Sequence, residues 1–430
     1  MRTLHLFLLV FLWLGLGLHA QDTITVMQYN LLYYGNYNSA FAGCNESTNN
    51  TQDKDENIRT ILNHVKPDIL TVNEFGATQA LLNSFIQHNL NINGANYWKS
   101  DDIINYAHSD IVNHIFYDSR KMELKRHAVI RTAVRDIDAY ELYFKTAGLA
   151  VGDTVKLVCV VAHLKAGNST TDEGKRRAMI QNAMDFIDEN YPTDNVLIMG
   201  DFNMYSSSES AYRLLTQNYS NHDILFVDPL SFEGGVGNWH NTRQYAPFHT
   251  QATMDWSDNP CRTGGGLDDR FDMILMSDEI LMGYNKLHYL SNSYKAVGND
   301  GNHFNQSVND GYNSSVPAEV ADALYYSSDH LPVAMKMRVS TPFGVGEPTA
   351  NLFQVYPNPT NGILNIKAQG ITSVQPETIE YRITNLTGQT LVVGRLEDET
   401  TSINITGLPS GLYFISIGET TRKFVKSDSL

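Results

Sequence analysis

Short apolar runs alternate with amphipathic stretches along the chain from its third decade onward. Residues 23–30 (TITVMQYN) form one such run and predict a β-strand. Residues 55–65 predict a helix, because four apolar side chains recur there at helical spacing and Asp53 or Asp55 is available as its cap. The run at 68–75 (DILTVNEF) predicts a second strand, so this segment has the order strand, helix, strand.

The same order recurs farther along the chain. Residues 156–164 predict a strand, 172–190 an amphipathic helix, and 195–203 a buried strand. Two more apolar runs, at 270–277 and 330–339, complete the set. Strands that alternate with helices, together with hairpin-like stretches before the second unit, predict an α/β sandwich with mixed sheets.

Two long polar segments interrupt this pattern, at 34–52 and 298–315. Both are rich in Asn, Gly and Ser, which predicts loops rather than core elements. In the second segment, four oxygen-bearing side chains offer a calcium cage as an alternative: Asp300, Asn302, Asn309 and Asp310. Their spacing matches no calcium-binding motif, so a plain loop is the preferred interpretation.

The two ends of the chain differ from the part between them. Residues 1–20 combine a positive Arg2, an apolar run and a small last residue, which predicts a secretory signal peptide and no stable membrane insertion. Residues 340–351 contain Pro and Gly and predict a linker. Short β-type runs with Asn-Pro and Gly turns fill residues 352–430, which predicts a second domain, a small all-β sandwich.

Three cysteines enter an oxidising compartment if the chain is secreted. Cys159 lies in the apolar run LVCVVAH and is interpreted as a buried small hydrophobic residue. Cys44 and Cys261 both lie in polar loops and are able to pair, although the sequence does not fix their connectivity. The lack of a CxxC spacing disfavours a zinc site with Cys ligands.

Composition and charge narrow the function classes. The 430-residue chain is 42% hydrophobic, which is enough for a real core and excludes wholesale disorder. It carries 31 basic and 47 acidic residues, and this formal net charge of −16 argues against nucleic-acid binding through a broad basic surface. Much of the excess is ordinary solvated surface, but it is also compatible with a carboxylate cluster that binds a cation.

Polar side chains of the kind used in phosphate chemistry lie at the ends of the predicted strands. They are Asn30, Glu74, His163, Asp201, Asn203, Asp272, Asp329 and His330. Each one alone has an ordinary structural interpretation, such as an Asn turn, a capping Asp or a structural His. Because strands packed side by side bring their ends to one rim, we expect the whole set to converge on one cleft.

Such a set has the chemistry for hydrolysing a phosphate ester. Glu74 and other carboxylates offer hard oxygen ligands for a divalent cation, preferably Mg²⁺, with Mn²⁺ or Ca²⁺ as alternatives. A His–carboxylate pair, His330 with Asp272, can remove a proton from water. The two asparagines and the other histidine of the set can donate hydrogen bonds to the charge that develops on the phosphate.

The order of these motifs resembles the signature of the endonuclease/exonuclease/phosphatase superfamily, the DNase I-like enzymes. The motifs are YN, NE, AHLKAG, MGDFN, RFDMIL and SSDHLPV, and the resemblance covers roughly residues 23–339. It implies a catalytic domain at 22–339 that folds as a four-layer α/β sandwich. It also implies divalent-metal-dependent cleavage of a phosphodiester or phosphomonoester.

The resemblance implies a role for each residue at a strand end. Asn30, Glu74 and Asp329 are expected to bind the metal, and His163 to bind phosphate or act as an acid. Asp201 and Asn203 are expected to activate water and contact phosphate. His330 is expected to act as a base, with Asp272 behind it. The number of metal ions stays open. So does the group, Asp201 or His330, that takes the proton from water.

Several cationic side chains follow the histidine of the AHLKAG motif, and three of them are considered as substrate contacts. Lys165 lies within that motif and is a candidate for a substrate contact. Arg176 and Arg177 lie in HLKAGNSTTDEGKRR, an extended form that resembles bacterial secreted nuclease-like members. We interpret these two arginines as an exposed helix face rather than as phosphate contacts.

Residues 352–430 resemble the sorting module of Bacteroidetes type IX secretion cargo. The matching elements are YPNPTNGILNI, a Leu-Thr-Gly turn, LPSGLYFISI and the final TRKFVKS run. This resemblance implies handling by the type IX secretion machinery and export across the outer membrane. The expected location is outside the cell or on its outer surface, after passage through the periplasm.

The preferred hypothesis is a secreted metal-dependent nuclease that degrades extracellular DNA or RNA. One alternative keeps the chemistry but changes the substrate to a phospholipid or another phosphate ester, with a head group of the phosphoinositide or sphingomyelin type. A second alternative is a non-catalytic surface protein that uses the fold for binding. The intact set of carboxylates and histidines argues against this second alternative.

Overall fold

The structure is a computed structural model of the chain. It describes residues 23–36, 44–146, 148–149, 152–217, 224–257, 259–340, 353–368, 380–386, 388–396, 400–417 and 420–427. The expected signal peptide at 1–20 and nearly all of the expected linker at 340–351 lie outside the described residues. Among the described residues, none of the helices combines the length and the apolar character that a membrane crossing requires.

Thirteen strands build two large sheets, and six α-helices accompany them. The strands are β1 Thr23–Tyr34, β2 Ile69–Gly76, β3 Trp98–Lys99, β4 Ile111–Asp118, β5 Met122–Ile130, β6 Ile137–Phe144, β7 Lys156–His163, β8 Val196–Asp201, β9 Phe226–Val227, β10 Asp272–Ser277, β11 Leu287–Tyr289, β12 Lys295–Ala296 and β13 Val333–Val339. The α-helices are α1 Thr51–Val65, α2 Gln79–Phe85, α3 Thr170–Asn190, α4 Ser210–Thr216, α5 Asp278–Met282 and α6 Ala318–Ser327. Both counts refer to the part of the chain that the structure describes.

Each large sheet contains one parallel pair of strands within an otherwise antiparallel arrangement. The first sheet has the order β11-β13-β1-β2-β4-β3, with β12 beside β13 and with β1 parallel to β2. The second has the order β5-β6-β7-β8-β10-β9, with β7 parallel to β8. Helix α1 connects the first parallel pair and α3 connects the second, as parallel neighbours require. The carboxyl ends of each pair therefore lie at the same edge of its sheet.

The two sheets face each other across a buried core, and helices cover their outer faces. Val26 from the first sheet packs with Cys159 from the second in the core between them. Ile58 of α1 and Leu324 of α6 belong to a second core on the outer face of the first sheet. Ile180 of α3 belongs to a third core on the outer face of the second sheet. These four layers confirm the predicted fold class.

The C-terminal part of the chain forms two smaller sheets. Their strands are β14 Phe353–Tyr356, β15 Ile363–Ala368, β16 Glu380–Thr384, β17 Thr390–Arg395, β18 Thr400–Asn404, β19 Gly411–Ile417 and β20 Thr420–Lys426. One sheet has the order β14-β15-β18 and the other β17-β16-β19-β20. Leu364, Ile383 and Phe424 are buried in the core that the two sheets share. This arrangement confirms the predicted all-β sandwich.

Helix α1 begins earlier than the sequence predicts. Its N-cap is Asn50, whose side chain accepts a hydrogen bond from the Gln52 N–H at 2.7 Å. The two predicted caps, Asp53 and Asp55, therefore lie inside the helix, and the prediction of the cap was wrong. An Asn side chain at this position satisfies an N–H group that has no partner within the helix.

Asp300 organises the polar loop at 298–315. One of its carboxylate oxygens accepts hydrogen bonds from the Asn302 N–H and from Nδ1 of His303, and the other accepts from the Ser314 N–H. Asn309 is directed to Asp322 of α6 instead. Asp300 thus serves the internal structure of the segment and Asn309 points away from it to α6, and this geometry favours the plain loop over the calcium cage.

Cys44 and Cys261 form a disulfide, so the pairing that the sequence leaves open is present. Cys159 is buried and has a free thiol, as the sequence predicts. The disulfide joins segments 217 positions apart, and Asn259 adds a hydrogen bond to the carbonyl oxygen of Thr48 beside it. The segment that precedes α1 is thereby fixed to the long loop that precedes β10.

Replacing both Cys44 and Cys261 by Ala should lower the free energy of unfolding by several kcal/mol, on the order of 5 at most. The reason is that a crosslink over 217 positions restricts the unfolded chain. Urea denaturation of the oxidised wild type and the double variant measures the difference. Equal midpoints and slopes would show that the crosslink contributes no stability.

Gly200 of β8 pairs with Ala162 of β7. Its φ is +147°, and a Cβ at this position would lie 1.7 Å from the carbonyl oxygen of Ala162. Gly200→Ala should lower the free energy of unfolding by about 3 kcal/mol or more, because the paired strands have to separate. Gly174→Ala on α3, where a Cβ meets nothing within 4 Å, should raise it by about 0.5–1 kcal/mol. Denaturation curves that place both variants at wild-type stability would contradict this strand packing.

Candidate active site

The structure brings all eight residues from the strand ends to one edge of the two facing sheets. The first sheet contributes Asn30 and Glu74, the second contributes His163, Asp201 and Asp272, and adjoining loops contribute Asn203, Asp329 and His330. None of these residues is more than 8% exposed. Side chains that are up to 300 positions apart in the chain therefore share one buried polar site.

Asn30 connects the carboxylates of the two sheets. Its Nδ2 donates hydrogen bonds to Oε1 of Glu74 at 3.1 Å and to Oδ2 of Asp201 at 3.0 Å. Its Oδ1 accepts a hydrogen bond from the Leu32 N–H at 2.9 Å, which fixes the orientation of the amide. Asn30 thus holds two carboxylates together, and its Oδ1, with one lone pair used by the backbone, stays a candidate for the metal side.

The backbone around Glu74 adopts an unusual conformation. Leu32, Tyr33 and Glu74 have φ values of 47°, 51° and 55°, which residues other than glycine rarely adopt. In this conformation the Tyr33 N–H donates to Oε2 of Glu74 at 3.1 Å. The buried Lys54 stabilises the turn by donating from Nζ to the carbonyl oxygens of Leu31 and Leu32. Burial lowers the pKa of Lys54 to about 7.

Glu74, His163 and Asp201 form a group of potential metal ligands. One ligand atom from each of these three residues lies within 4.8 Å of the others. Nε2 of His163 is 3.4 Å from Oδ2 of Asp201 and 3.8 Å from Oε1 of Glu74. Burial lowers the pKa of His163 well below its usual range, so the neutral form that can bind a cation predominates.

The two carboxylates in this group lack a full counter-charge. Burial raises the pKa of Glu74, and the nearby Asp329 adds to the effect. Burial also raises the pKa of Asp201 to about 7, where His330 opposes the shift and Asp272 adds to it. A divalent cation would supply the missing charge, and the carboxylate oxygens suit Mg²⁺ or Mn²⁺. The donor set therefore fits the metal that the sequence implies.

His330 forms a hydrogen-bonded pair with Asp272. Its Nδ1 is 2.7 Å from Oδ2 of Asp272, and its Nε2 is 2.7 Å from the Gln251 amide and 3.8 Å from Oδ2 of Asp201. Burial alone would lower the pKa of His330, but Asp272 and Asp201 raise it well above its usual value. Asp272 fixes the imidazole, so that Nε2 faces the cleft.

Asp329 and Asn203 flank the group. Oδ2 of Asp329 accepts a hydrogen bond from the Thr263 N–H at 3.0 Å, whereas its buried Oδ1 has no hydrogen-bond partner. A buried carboxylate oxygen without a partner is the kind of atom that a bound cation satisfies. Asn203 donates its backbone N–H to Oδ1 of Asp201 at 3.0 Å and its side-chain amide to the Leu164 carbonyl at 3.4 Å.

Lys165 lies outside this buried group. Its side chain is partly exposed, donates to the carbonyl oxygen of Ala166 and lies 3.4 Å from a carboxylate oxygen of Asp172. It occupies the loop that leaves β7, two positions after His163. The predicted substrate contact of Lys165 would therefore be made at the rim of the site.

Arg176 is only 1% exposed, so its prediction as part of an exposed helix face was wrong. Its Nε donates to Glu209 at 2.8 Å, and its Nη1 donates to the carbonyl oxygens of Lys165 and Gly167 at 2.9 and 2.6 Å. The partner lies 33 positions away, in the loop after β8, where the helical pattern cannot reveal it. Arg177, in contrast, is exposed as predicted.

Three residues that the sequence analysis does not identify also contribute to the site. Oδ1 of Asn73 accepts a hydrogen bond from the Asp201 N–H at 2.8 Å and so connects the sheets. Gln251 faces Nε2 of the active-site histidine. Arg135, between β5 and β6, has a buried Nη1 without a hydrogen-bond partner, and its charge interacts with Glu74 and Asp201. The NE motif marks the position of Asn73, but no motif marks the other two.

Replacing Arg176 by Met should lower the free energy of unfolding by about 3–5 kcal/mol, because the buried Glu209 would lose its cationic partner. Arg177→Met on the exposed side of the same helix is the matched control and should change stability by less than about 0.5 kcal/mol. Urea denaturation of both variants measures the difference. A loss for Arg176→Met no larger than for the control would contradict the buried ion pair.

Comparisons with known families identify both parts of the chain. The sequence profile of the Endonuclease/Exonuclease/phosphatase family matches residues 27–330. The profile described as Secretion system C-terminal sorting domain matches residues 354–427, which indicates type IX secretion to the cell surface or beyond it. A search of curated proteins gives no match.

Solved structures with similar folds cover about three quarters of the chain. D. rerio TDP2 complexed with a single strand DNA product has a TM-score of 0.46 and 13% identity, over 74% of this chain and 99% of that chain. The human Nocturnin catalytic domain with bound sulfate anion has a TM-score of 0.44 and 16% identity, over 74% and 98%. An endonuclease/exonuclease/phosphatase family protein from Bacteroides thetaiotaomicron has a TM-score of 0.43 and 15% identity, over 76% and 99%.

The family profile spans the strands that carry the site, from the YN motif to the final Asp-His pair. Its match at 27–330 covers more than half of the 430 residues. The chain therefore belongs to the endonuclease/exonuclease/phosphatase family.

Proposed function

We propose that the protein is a secreted, divalent-metal-dependent phosphodiesterase and that it acts as a nuclease on extracellular DNA or RNA. Membership of the family supports hydrolysis of a phosphate ester, and the sorting-domain match supports export. The observation that carries the proposal is the group Glu74, His163 and Asp201 beside the His330–Asp272 pair. Metal-assisted phosphodiester hydrolysis uses a cation site next to a group that can exchange a proton with water.

The proposed division of the chain into domains rests on the sequence patterns and on the two profile matches. It comprises a signal peptide at 1–20, a catalytic domain at 22–339, a linker at 340–351 and a sorting domain at 352–430. The profile matches at 27–330 and 354–427 support the two folded parts.

The proposed cation ligands are Glu74 and Asp329, with Asp201 and His163 close enough to complete the set. A bound divalent cation, preferably Mg²⁺, would offset negative charge on the phosphoryl oxygens during hydrolysis. Asn30 contributes because its side-chain amide donates hydrogen bonds to the carboxylates of both Glu74 and Asp201 and so holds them together. The unpartnered Oδ1 of Asp329 supports its assignment to the metal side.

In the proposed reaction the water oxygen forms a bond to phosphorus, and the bond from phosphorus to the leaving ester oxygen breaks. The water loses one proton, and the ester oxygen gains one. Oδ2 of Asp201 and Nε2 of His330 lie 3.8 Å apart and are the two groups that can take the proton from water and return one to the ester oxygen. Nδ1 of His330 is hydrogen-bonded to Asp272, so Nε2 is the nitrogen that exchanges the proton.

Arg135 is proposed to bind a phosphate oxygen of the substrate. Its buried Nη1 has no hydrogen-bond partner, and its charge interacts with Glu74 and Asp201. A guanidinium group near the reacting phosphate stabilises the charge that develops there. Asn203 is proposed as a second donor, and Lys165 as a contact to the substrate at the rim.

The purified protein should hydrolyse plasmid DNA or RNA, and bis(p-nitrophenyl) phosphate, in the presence of Mg²⁺, and EDTA should abolish this activity. His330→Ala should lower kcat by about 10²- to 10⁴-fold, because the pair that exchanges the proton is lost. His88→Ala, at an exposed histidine in the helical turn after α2 that belongs to none of the motifs, is the control and should keep the wild-type rate. Initial rates on all three substrates measure the effect.

Two other outcomes would replace the proposal. Hydrolysis of sphingomyelin or phosphoinositide vesicles without hydrolysis of nucleic acid would identify a lipid phosphodiesterase of the same fold. No hydrolysis of any substrate with Mg²⁺, Mn²⁺ or Ca²⁺ would contradict an enzymatic role and favour the non-catalytic binding protein.

A further inference from the structure

An exposed aromatic ring and an arginine form a stacked pair outside the buried site. Tyr106 is 52% exposed, although the guanidinium carbon of Arg131 lies 4.1 Å from the centre of its ring. Arg131 is itself exposed, and among the described residues its guanidinium forms no ion pair. The pair thus offers a flat surface and a positive charge to solvent.

The stacked pair lies on two loops that are linked along the chain to residues of the candidate active site. The loop that carries Tyr106 is attached to the end of β2, because the Ala77 N–H donates to the carbonyl oxygen of Asp110. Ala77 follows Glu74 by three positions. Arg131 precedes Arg135 by four positions, which places their Cα atoms within about 14 Å of each other. Tyr106 is therefore linked along the chain to the metal side of the site, and Arg131 is linked to the proposed phosphate contact Arg135.

Hydrogen bonds hold both loops in place. The Ala107 N–H donates to Oδ2 of Asp136 at 2.8 Å, which joins the two loops directly. Asn105 exchanges two hydrogen bonds with the backbone of Ser109, so the turn that presents Tyr106 is closed on itself. A binding surface that is ordered in advance loses less conformational entropy when a ligand binds.

We propose that Tyr106 and Arg131 form a nucleotide-binding subsite beside the active site. A base of the substrate stacks on the Tyr106–Arg131 pair, and the guanidinium of Arg131 binds a phosphate that flanks the scissile one. Aromatic rings next to arginines bind single-stranded nucleic acid in this way, because every base has a flat face to stack. The subsite deepens the nuclease proposal and rests on it, and it assigns single-stranded nucleic acid as the substrate.

The test compares a single-stranded oligonucleotide with bis(p-nitrophenyl) phosphate, which is too small to reach the subsite. Tyr106→Ala and Arg131→Gln should each raise KM for the oligonucleotide about five-fold or more. Neither substitution should change kcat/KM for the small ester. Tyr106→Phe should keep the wild-type KM because it keeps the ring. Tyr312→Ala, at a tyrosine that is 86% exposed on another loop, is the matched control and should have no effect.

Fluorescence anisotropy of the labelled oligonucleotide in EDTA measures binding without hydrolysis. It separates failure of the subsite from failure of the proposed chemistry. Weaker binding by Tyr106→Ala would support the subsite even if no substrate were hydrolysed. Unchanged binding and unchanged KM would overturn it, even if the small ester were cleaved. Equal losses of kcat/KM on the oligonucleotide and on bis(p-nitrophenyl) phosphate would also overturn the subsite. A loss of activity confined to sphingomyelin vesicles would overturn it as well.

Discussion

The active site depends on one amide that is shared by two carboxylates from different sheets. Nδ2 of Asn30 donates to Glu74 on the first sheet and to Asp201 on the second. Two buried carboxylates so close together repel each other, and burial disfavours the charge on each of them. One neutral amide holds them in place without neutralising them. This incomplete compensation is what makes the position suitable for a divalent cation.

The rest of the fold keeps that arrangement rigid. Asn73 accepts a hydrogen bond from the Asp201 N–H and so connects the sheets directly beneath the carboxylates. Lys54 stabilises the left-handed turn that contains Tyr33. This turn orients the Tyr33 N–H, which donates a hydrogen bond to Glu74. On the other sheet, Arg176 binds carbonyl oxygens of the loop that follows His163. The site is therefore positioned by buried polar contacts, while the apolar cores between the layers supply most of the stability.

The sequence is sufficient to predict the layers and the convergence of the strand ends. Alternating apolar runs indicate parallel pairs, and the carboxyl ends of such pairs share an edge, so Glu74 and Asp201 could be expected to meet. The positions of Arg135 and Gln251 beside the site could not be predicted, because each depends on how a loop folds back over the sheets. Arg176 was assigned to the surface because its partner Glu209 belongs to a different element.

The order of the motifs carried more information than any single motif. An Asn-Glu or Asp-His pair alone is common at the end of a strand, and its ordinary interpretation is a turn or a cap. Helix boundaries were less predictable, since the choice of Asn50 over Asp53 as the cap of α1 depends on local backbone geometry.

Anomalous X-ray diffraction from crystals grown with MnCl₂ would test the central claim most directly. If the carboxylates of the two sheets are held together to bind a cation, an anomalous peak should lie between Glu74 and Asp201. It should disappear in the Glu74→Gln variant. A peak only at another position, or none at a saturating concentration of Mn²⁺, would contradict the claim.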